Sequence, residues 1–502
     1  RDWQLITAGA LLFVLAYPPF HLLLPSFVCL VPAVLLIERG NEAELPFRRL
    51  VVQGFWFGLL SHGLVLYWMI VALWHFTPMS ALGYGATITV LAVYTGLLFA
   101  AVGWIRRTTA VPMVAVLPVF LVALEWIVGH QGEVAFPWLG LGTSLTGFPL
   151  LIQIADLVGA RGITLLLVMA NVVLATALTT PQRRRRVMLA GYVVAGAMVA
   201  SIYGMVRVRG IELRSAGTVA LIQPNVGFAD KRNRTLQDSL VGQLIELSAT
   251  EISRGRPDLV VWPEAAVPDF FFRHPDWLGR IAAQARQSAT PVVVGGVDID
   301  LTGEAPYDYF NAVFVLDEDG SPDAWPAYHK RYLVPIVERV PFVNPRWFDM
   351  RWFGGFAFGQ EAPVYEVDMG RFGVLICYES AFEAASRRYR RAGADFIVNV
   401  TNDAWFGRTS APYQHAAHLV MRAIENRVGI ARAANSGISE FVDPLGRTSH
   451  RTALMEQATL TETLVTSDVV PLYVRWGDWV GGLSVVGVIL LLGYARFNRP
   501  SG

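Results

Sequence analysis

Cys377 closes an apolar run, Phe372-Gly-Val-Leu-Ile-Cys-Tyr-Glu-Ser380, in a 502-residue chain whose only other cysteine, Cys29, lies in a hydrophobic stretch near the start. A thiol set where a strand gives way to a polar turn is placed like a nucleophile. Because a thiol with a pKa of about 8.5 attacks only as thiolate, it needs a base to take its proton or a cation to favour the anion. Val261-Trp-Pro-Glu264 offers the carboxylate, and Tyr328-His-Lys330 the ammonium. When a thiolate adds to a carbonyl, negative charge grows on oxygen, and a fixed ammonium together with the backbone N–H of Tyr378 would stabilise it. Lys330 and Lys231 are the only lysines among 41 Lys+Arg. Taken singly these features are weak, since a lone cysteine after a strand is more often packing and a His-Lys pair more often solvated surface. Their order and their places at strand ends give them weight.

The elements that must hold these groups read as short runs rich in Val and Ile: Thr218 to Ile222, Leu259 to Trp262, Val292 to Gly296, Ala312 to Leu316, Phe372 to Ile376 and Phe396 to Val400. Runs of this length bounded by Gly, Pro and Asp predict buried strands. Helical patterns lie between them at Leu236 to Arg254, Trp277 to Gln287, Ala381 to Ala392 and Gln414 to Asn426. Gln223-Pro-Asn225, Glu264 and Cys377 all stand at strand ends, where α/β folds commonly place functional groups. The stretch 207–475 is therefore expected to be one globular domain with a core of its own.

Hydrophobic residues make up 54% of the chain and charged residues only 16%, with a mean hydropathy of +0.43. That balance fits a chain partly solvated by lipid. Apolar segments near the length that crosses a bilayer core of about 30 Å run from Leu5 to Tyr17, Leu22 to Ile37, Val51 to Trp74, Met79 to Trp104, Val111 to Val128, Leu150 or Ile163 to Leu178, and Val187 to Val206, with another from Val480 to Tyr494. The expected organisation is a transmembrane bundle over 1–206, the globular domain over 207–475, and a last helix with its tail over 476–502. Arginines follow the second, fourth, sixth and eighth segments (Arg48 and Arg49, Arg106 and Arg107, Arg183 to Arg186, Arg496 and Arg499), and none follows the third or fifth. This places both termini in the cytoplasm and the globular domain outside it. Tyr17-Pro-Pro-Phe20 after the first segment lacks small residues for signal-peptide cleavage, so that segment is read as retained. A net charge of +1 argues against a nucleic-acid partner, and two cysteines do not make a disulfide framework.

Glu, Lys and Cys in that order resemble the nitrilase superfamily, whose fold is a four-layer α-β-β-α sandwich with a Glu-Lys-Cys triad. Membrane segments on both sides, with Gln223-Pro-Asn225, Trp262-Pro-Glu264, Phe310-Asn-Ala312, His329-Lys330, Cys377-Tyr-Glu379, Asn402-Asp-Ala-Trp-Phe-Gly407 and Arg422-Ala-Ile-Glu425, narrow the resemblance to the apolipoprotein N-acyltransferase family over essentially the whole chain. The resemblance implies that Glu264 is the general base, Lys330 the electrostatic stabiliser and Cys377 the nucleophile that carries an acyl thioester. It also puts Glu338, Tyr378 and Glu379 beside the triad. Glu338 and Glu379 could instead pair with nearby arginines. Two departures stand out: Ile336-Val337 replaces the family's Phe-Gly before Glu338, and the tryptophan expected after Gln-Pro-Asn is absent, with Phe228 a candidate replacement.

The implied donor is a membrane phospholipid and the implied acceptor the α-amine of a diacylglyceryl-cysteine apolipoprotein, in the inner membrane of a bacterium. No metal or other cofactor is expected, and His415 and His418, three apart on a helix, read as structural. Cys29 reads as inert core. Trp347, Trp352, Phe353, Phe356 and Phe358 among glycines read as a mobile apolar lid over the acyl chain, and Trp138 as an interfacial anchor or part of an acyl path. Two rival readings are a membrane-anchored carbon-nitrogen hydrolase that uses water as acceptor and a non-enzymatic membrane scaffold with a degenerate nitrilase-like domain, against which the intact Glu, Lys and Cys count.

Overall fold

In lipid a chain can satisfy its backbone N–H and C=O groups only within itself, so the long apolar stretches fold as helices. The computed structural model describes residues 2–74, 80–302, 307–344 and 355–497. The chain divides into two compact units, one formed by Arg1–Gln131, Ala135–Gly210 and Trp476–Gly502, the other by Gly132–Val134 and Ile211–Arg475.

Among the described residues of the first unit, five helices are long and apolar enough to cross a membrane: Leu23–Glu42, Ala81–Thr108, Ala155–Thr179, Arg183–Gly210 and Trp479–Phe497. Asp2–Ala16 and Met113–Gly129 are apolar but shorter. The third apolar segment is not one continuous helix, because Phe47–Val65 stops and the chain resumes helix at Trp68–Trp74. The sixth begins at Ala155, between the two starts the sequence offers, and bends where Gly159 takes φ +67°. That conformation is open chiefly to glycine. Phe47–Val65 packs on Ser80–Thr108 through small residues: a Cβ on Gly54 would lie 2.8 Å from the Thr95 carbonyl oxygen, and one on Gly96 2.7 Å from that of Val51. Close backbone approach of this kind is the usual basis of helix pairing in lipid. Arg161 meets Asp478 at 2.6 Å, tying the last helix to the bundle, and Arg207 meets the buried Asp156 at 2.7 Å.

The second unit holds two six-stranded sheets. The first follows the order β12-β1-β2-β3-β4-β5, with β1 Arg214–Gln223, β2 Leu259–Val261, β3 Val292–Asp300, β4 Asp308–Leu316, β5 Tyr328–His329 and β12 Ala458–Thr466. The second follows β11-β10-β9-β8-β7-β6, with β6 Tyr365–Val367, β7 Gly370–Ile376, β8 Phe396–Thr401, β9 Gly429–Ala434, β10 Glu440–Val442 and β11 Thr448–Ser449. β1, β2 and β3 run parallel, as do β7, β8 and β9, and the flanking strands are antiparallel. The sheets meet through β1 and β9, while helices Gln237–Gly255 and Glu383–Arg391 cover β1 and β7. Alternate residues of the first sheet, among them Ile222, Val260, Trp262, Val294 and Phe314, form a core with Val241, Leu244, Ile281 and Ala285 of its helices. Val219, Leu221, Val261, Val293 and Val313 are buried as well. Burial on both faces explains why these strands read as unbroken apolar runs rather than alternating ones.

Candidate active site

Each strand that bears a predicted group delivers it at its carboxyl end. Glu264 follows β2, Lys330 follows β5, Cys377 follows β7 and Asn402 follows β8. Cys377 is 2% exposed, Glu264 3% and Lys330 0%. The Lys330 ammonium donates to Glu264 Oε1 at 3.1 Å and to Glu338 Oε1 at 2.9 Å. Asn311 Nδ2 bridges the same two oxygens at 2.7 and 2.8 Å, and the other Glu264 oxygen accepts the backbone N–H of Asn402 at 2.8 Å. Neither carboxylate therefore lies bare in the interior, which would be costly.

Burial by itself would lower the lysine's pKa, but the carboxylates of Glu264 and Glu338 hold it above its ordinary value, so Lys330 stays charged. Burial, and then the Glu264 charge, push the Cys377 thiol well above its usual range, with Lys330 pulling the other way. Cys377 therefore rests as a thiol. Cys377 itself takes φ +50°, a left-handed conformation uncommon outside glycine, in a turn whose residues Cys377 to Ala381 are all buried.

Glu379 accepts from Tyr328 Oη at 2.7 Å and from the backbone N–H groups of Ile376 and Arg331, each at 2.8 Å, and of Tyr332 at 3.2 Å. It thereby clips the segment that carries Lys330 to the strand end that carries Cys377. Burial raises its pKa, opposed by those N–H groups. Glu338 adds the Val334 N–H at 2.7 Å to its contacts with Lys330 and Asn311. Pairing of these two glutamates with arginines, the alternative left by the sequence, does not describe these contacts. Tyr378 is buried against Phe382.

Ile336 and Val337 leave the Glu338 turn closed, since Ile336 N donates to Arg339 O at 2.7 Å and Glu338 N to Val334 O at 3.0 Å. The turn does force Ile336 to φ +71°, a position where a β-branched residue costs roughly 1–2 kcal/mol.

Of the lid residues, Trp347, Trp352 and Phe353 fall outside the described residues. Phe356 and Phe358 are half-buried and held beside the cluster: Phe356 N donates to Glu338 O at 3.0 Å, and the Arg339 guanidinium lies over the Phe358 ring at 5.3 Å from its centre. Gly359 N also donates to Lys330 O at 2.9 Å. Trp138 is in the other unit, buried against Trp68 at 5.2 Å between ring centres. Phe228 lies 6.4 Å from Trp405 and carries the Arg232 guanidinium over its ring at 4.6 Å.

Sequence reasoning assigned no role to Asn311 or Lys231, and read Asn402 to Gly407 as pocket wall only. Lys231 Nζ donates to the carbonyl of Ala265 at 2.9 Å, beside Glu264, and burial lowers its pKa to about 8. Both lysines of the chain thus attend the Glu264 segment. Asp403 and His415 also come close: one ligand atom of each, with Cys377 Sγ, lies within 4.8 Å of the others. Those donor types could ligate a metal, yet Asp403 and His415 bond one another at 3.0 Å and Asp403 bonds Arg432 at 2.9 Å.

Comparison with known proteins agrees with this organisation. The carbon-nitrogen hydrolase family profile matches residues 218–472, and that of the apolipoprotein N-acyltransferase N-terminal domain matches residues 9–173. An apolipoprotein N-acyltransferase of Geobacter metallireducens is 32% identical over 100% of this chain and 96% of its own length. Another, from Bradyrhizobium diazoefficiens, is 32% identical over 97% of this chain and 93% of its own. Among solved structures, an amidase from Nesterenkonia sp. AN1 aligns with 18% identity over 52% of this chain and 96% of its own, with a TM-score of 0.38.

Proposed function

The chain belongs to the apolipoprotein N-acyltransferase family, and from that premise we propose that it acylates the α-amine of diacylglyceryl-cysteine apolipoproteins by a ping-pong route through Cys377, with a membrane phospholipid as donor. The observation that carries this reading is the buried Lys330 ammonium bonded to both Glu264 and Glu338 while acting electrostatically on the Cys377 thiol. In this mechanism Glu264 takes the thiol proton, and the thiolate adds to the ester carbonyl carbon of the phospholipid. Negative charge on the carbonyl oxygen is met by Lys330 and the N–H of Tyr378. Collapse expels the lysophospholipid oxygen, which takes the proton from Glu264, and leaves a thioester. The acceptor amine then attacks that thioester and gives its proton to Glu264, and collapse forms the amide bond and expels the Cys377 sulfur, which takes that proton back from Glu264 to regenerate the thiol. Glu338, Tyr378 and Glu379 support the triad in this reading.

Intact mass spectrometry of the protein after exposure to phospholipid alone tests it. One added acyl group is expected, lost again when a diacylglyceryl-cysteine peptide is supplied. Release of free fatty acid or ammonia with no acyl transfer would replace the reading with the hydrolase.

The proposal includes sidedness. Eight segments with cytoplasmic termini would put 207–475 on the outer, periplasmic side, where an acceptor lipoprotein would be met. A label introduced at the exposed Glu318–Asp319 turn should react from outside intact cells, and one placed after Arg183 should not. Reaction of the first only from the cytoplasmic side would sink the assignment.

A second part concerns the lid. Aromatics at Trp347, Trp352, Phe353, Phe356 and Phe358 would serve by covering acyl carbons, each CH₂ worth about 0.8 kcal/mol. Trp352→Ser with Phe353→Ser should therefore weaken use of long-chain phospholipid far more than use of a short soluble ester. Equal losses on both substrates would move acyl recognition elsewhere.

A further inference from the structure

His415 and Asp403 take no part in the proton transfers above, yet both are fully buried beneath the nucleophile. On helix Ala411–Asn426, His415 directs Nε2 at the carbonyl oxygen of Cys377, 2.9 Å away, and Nδ1 at Asp403 Oδ1, 3.0 Å away. A carbonyl oxygen only accepts, so Nε2 carries the hydrogen of that contact. Asp403 is itself held by Thr401 Oγ1 at 2.9 Å and by Arg432 Nη2 at 2.9 Å, and Arg432 is anchored to Asn399 Oδ1 at 2.5 Å and Ile438 O at 2.9 Å. Burial would raise the Asp403 pKa, but His415 and Arg432 bring it down to about 2, so the anchor is a carboxylate. A chain of bonds thus runs from β8 and β9 through Asp403 and His415 to the backbone of Cys377.

What that chain fixes is a peptide plane. The carbonyl of Cys377 and the N–H of Tyr378 belong to one planar trans unit and point in opposite directions. Holding the carbonyl down toward His415 turns the Tyr378 N–H away from it, toward the side on which an oxyanion would form. We propose that His415, oriented by Asp403, is a positioning residue that sets the Cys377–Tyr378 peptide so that its N–H serves the developing oxyanion. The inference rests on the roles proposed above for Cys377 and Tyr378.

Two substitutions divide the imidazole between them. His415→Asn keeps a polar atom near the Nδ1 position, for Asp403, and loses the donor to Cys377. His415→Gln keeps a donor near the Nε2 position. In the full-length protein, the acylation burst with p-nitrophenyl butyrate passes through an oxyanion, whereas alkylation of Cys377 by iodoacetamide, followed by peptide mass, does not. His415→Asn should slow the burst by about 100-fold, the scale of losing one oxyanion donor, with alkylation changed by less than about threefold. His415→Gln should stay within about fivefold on both.

A normal burst in folded His415→Asn overturns the inference. So does a parallel loss of burst and alkylation, which would mark a general support of the turn, or a His415→Gln protein that folds and has lost the burst. Should His415→Asn fail to fold, the His415→Gln burst decides alone. A wild-type chain without any burst, or a Cys377→Ala chain that keeps one, would instead sink the underlying roles and not the positioning alone.

Discussion

Cys377→Ala should yield a folded protein that transfers no acyl group and carries no acyl adduct after exposure to phospholipid. The substitution removes one sulfur from a buried position whose left-handed φ of +50° alanine adopts no less readily than cysteine, so the turn should survive. The thermal midpoint is expected to shift only slightly, the cost of a small cavity being about 1 kcal/mol. Activity should nevertheless fall to background, because Glu264 and Lys330 have no nucleophile left to serve. The control is Cys29→Ala, in the membrane unit, whose buried sulfur lies 3.9 Å from the Ser26 carbonyl. It should remain nearly fully active. A Cys377→Ala protein still acylated in intact-mass spectra would require a different acyl carrier and would end the ping-pong proposal.

Much of the globular unit was legible because its central strands are buried on both faces. β1, β3, β4, β7 and β8 each contain a predicted run, β2 matches its run to within one residue, and the four predicted helices fall within a few residues of those observed. β9 was missed. Its sequence Gly-Ile-Ala-Arg-Ala-Ala has a charge in the middle, and only the structure reveals why a fully buried strand tolerates it: Arg432 meets Asp403 and Asn399 inside the core. β12 was missed for another reason. Its threonines and Glu462 leave no apolar run, and the strand exists through its long antiparallel pairing with β1.

The same limit governs the site. Glu264, Lys330 and Cys377, which the structure brings together, could be singled out because each residue type has distinctive chemistry and stands after a strand or in a recognised motif. Beyond Glu338, Tyr378 and Glu379, which the resemblance named, the surrounding contacts were not legible, since a backbone N–H such as that of Asn402 leaves no mark in residue type, and Asn311 and His415 bond partners 47 and 38 positions away. The motif Phe310-Asn-Ala312 did hold a usable signal, a lone amide inside an apolar strand, which must find partners there. In the membrane unit, hydropathy marked the apolar stretches but not the interruption at Leu66–Tyr67, which lies within continuous apolar sequence.

Lys330→Met tests whether the ammonium does more than balance charge. Its removal leaves Glu264 and Glu338 buried and facing the same Asn311 amide with no cation between them. Breaking a buried pair in this way typically costs about 3–5 kcal/mol of stability, so the melting temperature should fall along with activity. Loss of the oxyanion partner should separately cost roughly 3 kcal/mol or more in the acylation step. The two effects separate in Lys330→Met with Glu338→Gln, which removes one negative charge together with the positive one and returns the cluster to its original net charge. The double variant should recover much of the lost stability and none of the acylation rate. If it regains acylation as well, Lys330 acts only to neutralise the two carboxylates, and the charge that forms on the substrate oxygen must be met by backbone N–H groups without it.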